Sequence, residues 1–247
     1  MLETNNILVL GDSFTYGHGL HYEDTFIYKL QMKLNKKAHR ISFVNLAKRG
    51  TNSTKCLEIY QQFKDSIPHH AVLYGLHIND LVEFSTSYIA TNPLVIPWIV
   101  KWSKGLDFVT KRIHKHIIKK YRIRRLRSSA IFEEEYFIEN FKSLVELKKT
   151  ANEKGIQLYV VLLPMLVDLK KDTFLPLYQG IKKHLESSEI EYIDLTQCLD
   201  DFNDKDVWIL PFDQHPNEKA NEIFAEVLLH ECERQGIMAL PASGKSE

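Results

Sequence analysis

Long apolar runs are missing from this chain. None approaches the roughly 18 residues that a membrane-spanning helix needs, which argues against an integral membrane protein. Cysteine is scarce. Cys56, Cys198 and Cys232 are odd in number, widely spaced and form no CxxC pair, which argues against a disulfide framework and against a zinc site. A reducing compartment is the simpler expectation. Net charge is absent too: 32 Lys and Arg meet 32 Asp and Glu, so the average composition points to no charged partner. There is no low-complexity segment and no internal repeat. What is present is 247 residues of which 44% are hydrophobic, enough for one substantial core and a single domain over 1–247 with an insertion. The first apolar strand begins six residues after Met1, leaving no room for a signal peptide in the chain as given. A cytoplasmic protein is expected, although a trimmed, secreted form would look the same.

The chain is organised around Ile7 to Tyr16, ILVLGDSFTY. Four apolar residues read as a short strand buried on both faces, and Gly11 ends it with a turn. Ser13 is thereby placed at a strand's carboxyl end, where open α/β sheets bind ligands. A hydroxyl there is a candidate nucleophile. The plain alternative is that Asp12 and Ser13 cap the next helix.

Apolar spacing then predicts a helix over Glu23 to Leu34, a strand over Ile41 to Leu46 and a helix from Ser53 to Phe63. A strand over Ala71 to Leu76 follows, with Asn79 and Asp80 just past its end. A helix through Phe137, Phe141, Leu144 and Leu147 stops at Gly155. Strand Ile156 to Leu163, helix Leu175 to Ser187 and strand Ile190 to Leu195 come next. The last helix, Glu218 to Glu233, opens after the loop PFDQHPN. Strands alternating with helices imply a mostly parallel sheet covered on both faces, whose carboxyl rim would gather four polar loops.

Residues 84–130 interrupt this alternation. They hold Trp98 and Trp102, and from Lys101 to Arg127 eleven Lys or Arg stand against Asp107 alone, leaving 21 basic and 31 acidic residues elsewhere. Val109, Ile113, Ile117 and Tyr121 fall four apart, the pattern of an amphipathic helix. An insertion after the third strand suits a cap or lid over the site. Its tryptophans and basic charge also suit an anionic membrane surface contacted through residues 94–127. No nucleic-acid motif accompanies the charge. His114 and His116 look like a metal pair but lack acidic or cysteine companions.

Set side by side, GDSFT (Gly11 to Thr15), Gly50 in NLAKRGTNS, Asn79 and Asp80 in IND, and Asp213 and His215 in DQHPN resemble the four blocks of the SGNH hydrolases, also called GDSL esterases and lipases. The resemblance covers Ile7 to about Leu229 without the insertion. It implies a flavodoxin-like three-layer α/β/α sandwich with a five-stranded parallel sheet and a helical insertion after strand three. It also implies a catalytic set of Ser13, Asp213 and His215, with Ser13, Gly50 and Asn79 forming the oxyanion hole. The groups suit these roles: imidazole can take a serine proton near neutral pH, a carboxylate fixes its tautomer, and fixed N–H donors receive the oxyanion. Taken singly, Gly50 is a turn glycine, Asn79 a helix cap and His215 a loop histidine. Asp12 reads as structural.

Two departures from the family pattern stand out. The acid usually lies three residues before the histidine, whereas Asp213 lies two before His215. In an extended segment i and i+2 point the same way, so the pair remains feasible; a Ser13–His215 dyad, or Asp206 reaching in, are the alternatives. His77 stands where the family commonly has glycine, as a residue packed behind the site or as one that narrows the pocket. The expected activity is hydrolysis of a small-molecule carboxylic ester through an acyl-enzyme on Ser13, with no cofactor and no metal. The competing readings are an acyltransferase acting on a sugar hydroxyl and a non-catalytic protein working through its basic insertion.

Overall fold

The computed structural model describes residues 6–37, 41–82, 129–171 and 173–235. The basic segment, with Trp98, Trp102, His114, His116 and the expected helix, cap and membrane contact of residues 94–127, lies outside the described residues.

Five strands form one parallel sheet: β1 (Asn6–Gly11), β2 (Ser42–Asn45), β3 (Ala71–Leu76), β4 (Gln157–Leu162) and β5 (Glu191–Asp194), in the order β2-β1-β3-β4-β5. Side chains alternate across the pleat, so each strand contributes to two cores. Ile7 and Val9 face one core with Leu73 and Ile193. Helix α2 (Phe26–Lys36) covers that face through Phe26, Ile27, Leu30 and Leu34, together with Phe224 and Leu228 of α6 (Glu218–Gln235). Leu8, Leu10, Val72 and Tyr74 face the other. There α3 (Ser53–Phe63), α4 (Glu135–Asn152) and α5 (Leu175–Ser187) bury Tyr60, Leu144 and Ile181. Each such fully buried aliphatic or aromatic side chain contributes about 1.5 to 3 kcal/mol by leaving water. The result is the flavodoxin-like α/β/α sandwich that the sequence pattern and the motifs imply. No helix among the described residues is long and apolar enough to cross a membrane.

The chain leaves β1 towards β2 on one side and returns past β1 to β3, so a crevice opens beyond the carboxyl ends of β1 and β3. Every site residue is carried to that end.

Strands β2, β4 and β5 are each one residue shorter at both ends than the sequence-based expectation, and two larger details differ. Helix α2 starts at Phe26 and not at Glu23, because the Thr25 hydroxyl accepts the Tyr28 N–H at 3.3 Å and acts as its N-cap, while Tyr22–Asp24 form a separate 3₁₀ turn. The segment expected as a loop before α6 contains an antiparallel hairpin of β6 (Trp208–Leu210) and β7 (Asp213–Pro216). Strands of three and four residues, with Pro211 between them and Pro216 ending the second, carry too little alternation to be recognised from sequence.

Candidate active site

Ser13 opens a one-turn helix, α1 (Ser13–Tyr16), directly after β1. Asp12 caps it: its Oδ1 accepts the Phe14 N–H at 2.9 Å, so its role is structural, as expected. The turn sits in a narrow slot. Gly11 has φ +150, and a Cβ there would meet Thr15 Oγ1 at 2.4 Å; a Cβ on Gly75 would meet the same oxygen at 2.1 Å. Both glycines are required for α1 to lie against the sheet.

His215 and Asp213 lie on β7, two residues apart on an extended segment. The geometry is continuous: His215 Nε2 is 2.9 Å from Ser13 Oγ, and His215 Nδ1 is 2.5 Å from Asp213 Oδ1, which also accepts the His215 backbone N–H at 3.1 Å. A carboxylate can only accept, so Nδ1 carries the proton and Nε2 is left bare towards the serine hydroxyl. Burial works to raise the Asp213 pKa, but the hydrogen bonds from the ring and backbone of His215, with the nearby His18, outweigh it and hold the carboxyl below its ordinary value. Asp206 is not the partner of His215: its Oδ2 accepts from Asn203 at 2.9 Å.

The loop carrying Gly50 is strapped to the end of β1. Gly11 O accepts the Lys48 N–H at 3.1 Å, and the Thr51 hydroxyl lies 2.8 Å from the same carbonyl. Gly50 itself has φ +70, a left-handed backbone suited to glycine. Asn79 follows β3 in a short 3₁₀ turn, Ile78–Asp80. Its Oδ1 accepts from His77 Nδ1 at 2.6 Å, which leaves the amide Nδ2 as the free end of the side chain. The His77 ring is buried and stacks on Phe14 at 4.1 Å, so the segment bearing Asn79 is braced against the serine turn. Burial lowers the His77 pKa and keeps the ring neutral. His77 is thus the packed residue behind the site. Behind it, Asp80 accepts from Tyr74 Oη and from the His77 N–H, each at 3.1 Å, and burial pushes its carboxyl pKa well up.

Of the predicted residues, Ser13, His215 and Asp213 are in direct contact, while Gly50 and Asn79 are held to the same turn through Thr51 and His77. Sequence reasoning did not single out His18 and Arg49. His18 Nε2 is 3.6 Å from Asp213 Oδ2, and Arg49 Nη1 is 3.2 Å from His18 Nδ1. Only the proximity of His18 to the serine in GDSFTYGH could have drawn notice. Among the described residues, His18, Asp213 and His215 also have the donor set of a metal site. Both ring nitrogens of His215 are engaged by Ser13 and Asp213, and the Arg49 guanidinium beside His18 disfavours a cation. None of the three cysteines is in a disulfide; burial pushes Cys198 and Cys232 up to about 12 and Cys56 higher still, which disfavours the thiolate.

No family model matches the sequence, and no curated protein matches it either. Solved structures do. The psychrotrophic esterase EstA from Pseudoalteromonas sp. superposes with a TM-score of 0.58 at 15% identity, over 94% of this chain and 98% of that one. A member of the lipolytic protein G-D-S-L family from Veillonella parvula gives 0.54 at 14% identity, over 93% and 98%. The acetyl xylan esterase AlAXEase gives 0.55 at 16% identity, over 92% and 98%. The chain therefore has the fold of the GDSL, or SGNH, esterases and lipolytic proteins, the family that its four motifs resemble.

Proposed function

We propose that the protein is a serine hydrolase that cleaves a carboxylic ester through an acyl-enzyme on Ser13. The observation that carries this reading is the unbroken line from Ser13 Oγ to His215 at 2.9 Å and from His215 to Asp213 at 2.5 Å, at the carboxyl end of a parallel sheet. His215 Nε2 takes the hydroxyl proton as Oγ attacks the ester carbonyl, and Asp213 stabilises the imidazolium. The oxyanion is received by the N–H groups of Ser13 and Gly50 and by Asn79 Nδ2; each such donor is worth about 10² to 10³ in rate. His215 returns its proton to the departing alcohol. It then takes one from water as water attacks the acyl-enzyme, which releases the acid and regenerates the serine. The esterases of the same fold support this assignment, with residues 1–247 acting as one hydrolase domain.

Ser13→Ala tests it. The variant should keep the wild-type melting temperature and lose turnover of p-nitrophenyl acetate, and a fluorophosphonate should label the wild type at Ser13 alone. A Ser13→Ala protein with wild-type turnover refutes the proposal. A sugar acceptor in the same assay separates hydrolysis from acyl transfer by its products.

A further inference from the structure

His18 lies just past α1, where its backbone N–H donates to Ser13 O at 3.0 Å. Its half-buried ring packs on that of His215, with centroids 4.4 Å apart. Arg49 Nη1 stands 3.2 Å from Nδ1. A guanidinium offers only donors, so His18 Nδ1 must accept, and the neutral ring then carries its proton on Nε2. That N–H faces Asp213 Oδ2 at 3.6 Å, the carboxylate oxygen that His215 does not use.

We propose that His18 is a positioning residue for the triad acid, with its tautomer set by Arg49. The inference rests on the esterase reading of Ser13, His215 and Asp213. Asp213 sits on a two-stranded hairpin, with its side chain 26% exposed. Both His215 donors converge on Oδ1, so nothing from His215 prevents the carboxylate from turning its other oxygen into water. His18 supplies a restraint on Oδ2. At 3.6 Å the contact is electrostatic and longer than a formed hydrogen bond, and contacts of this kind tighten in the substrate complex. Arg49 also adjoins Gly50, so one chain of contacts links the hairpin, the serine turn and the loop of the proposed oxyanion donor.

The test compares His18→Ala and His18→Gln, each alone and combined with Asp213→Asn. The readouts are kcat and KM on p-nitrophenyl acetate and the low-field proton NMR resonance of His215 Nδ1–H. His18→Ala should lower kcat about fivefold, the size of one partly exposed N–H contact with a carboxylate, with KM within about twofold. The resonance should shift or broaden. Glutamine, which keeps an N–H at similar reach, should restore most of both. In the Asp213→Asn background His18→Ala should cost nothing further, because its target is gone. Wild-type kcat and an unchanged resonance in His18→Ala, no rescue by glutamine, or an equal loss without Asp213 would each overturn the proposal. A wild type that shows the resonance but turns over no ester would remove the esterase reading instead; the resonance of His18→Ala would still decide the positioning.

Discussion

Replacing Gly75 by alanine should disable the site from behind, without touching any reacting group. The added Cβ would lie 2.1 Å from Thr15 Oγ1, 3.2 Å from Thr15 Cβ and 3.3 Å from Cγ2. Ordinary contact is about 3.5 to 4.0 Å, so the hydroxyl must retreat by roughly 1.4 Å. Rotation about χ1 gives little relief, because the methyl would take the hydroxyl's place and Cβ itself is already tight. Thr15 is fully buried and its hydroxyl is tied to Gly75 O at 3.3 Å, so it has little room to retreat. The whole α1 turn must therefore shift. Overpacking of this kind costs about 1 to 3 kcal/mol, or roughly 2 to 12 °C in melting temperature for a chain of this size. The catalytic loss should be larger in proportion. Ser13 is two residues from Thr15, and a displacement of about 1 Å in its 2.9 Å contact with His215 costs about 10² in rate. Gly75→Ala should thus lower kcat about a hundredfold. Thr15→Ala alone should cost about 1 kcal/mol through its lost 3.3 Å hydrogen bond to Gly75 O. The double variant removes the 2.1 Å clash, leaves only the tight 3.2 Å contact with Cβ, and should recover kcat to within about fivefold of Thr15→Ala. Melting curves and steady-state kinetics on the four proteins settle it. Wild-type kcat in Gly75→Ala, or a double variant no better than Gly75→Ala, refutes the reasoning.

Two further predictions concern carboxylates. Asp213→Asn should lower kcat by about 10³ to 10⁴ with little change in KM, because the acceptor that holds the proton on His215 Nδ1 is weakened. The folded pKa of Asp213 is depressed, so its contribution to stability is present above the ordinary carboxylate value and is lost as pH falls through the folded value. The stability gap between wild type and Asp213→Asn, followed by denaturant titration, should close on acidification; a gap that widens would contradict this. Asp80 has the opposite sign. Burial raises its folded pKa, so folding binds a proton and stability declines as pH rises above the ordinary carboxylate range. Asp80→Asn, whose amide oxygen can accept from both Tyr74 and His77, should gain stability relative to wild type as pH rises above the ordinary carboxylate range; a pH-independent difference would sink the assignment.

The architecture was legible in the sequence because its cause is local. Ile7 to Leu10 and Ala71 to Leu76 are continuous apolar runs, and runs this short bounded by turn signals suit strands covered on both faces. Helix α3 and strand β3 emerged with the expected bounds, since Asn52 caps one and the other is buried along its length. The position of Ser13, the proposed nucleophile, followed from Gly11 at a strand end. The hairpin β6–β7 was not legible, because its strands are too short for a periodic signal.

Which acid contacts His215, where His77 packs and what His18 meets were decided only by tertiary structure. Asp206 precedes His215 by nine residues and Asp213 by two, and neither is the three-residue spacing of the family pattern, so spacing alone does not choose between them. The choice came from the hairpin, whose extended backbone turns Asp213 and His215 to one side while Asn203 occupies Asp206. The serine and histidine meet across 202 positions of sequence, and Arg49 meets His18 across 31. Contacts of that reach depend on the sheet order and on how loops are strapped to strand ends. A hydrophobic pattern sets which face of an element is buried, but a hydrogen bond at the site needs two such elements placed to within a fraction of an ångström.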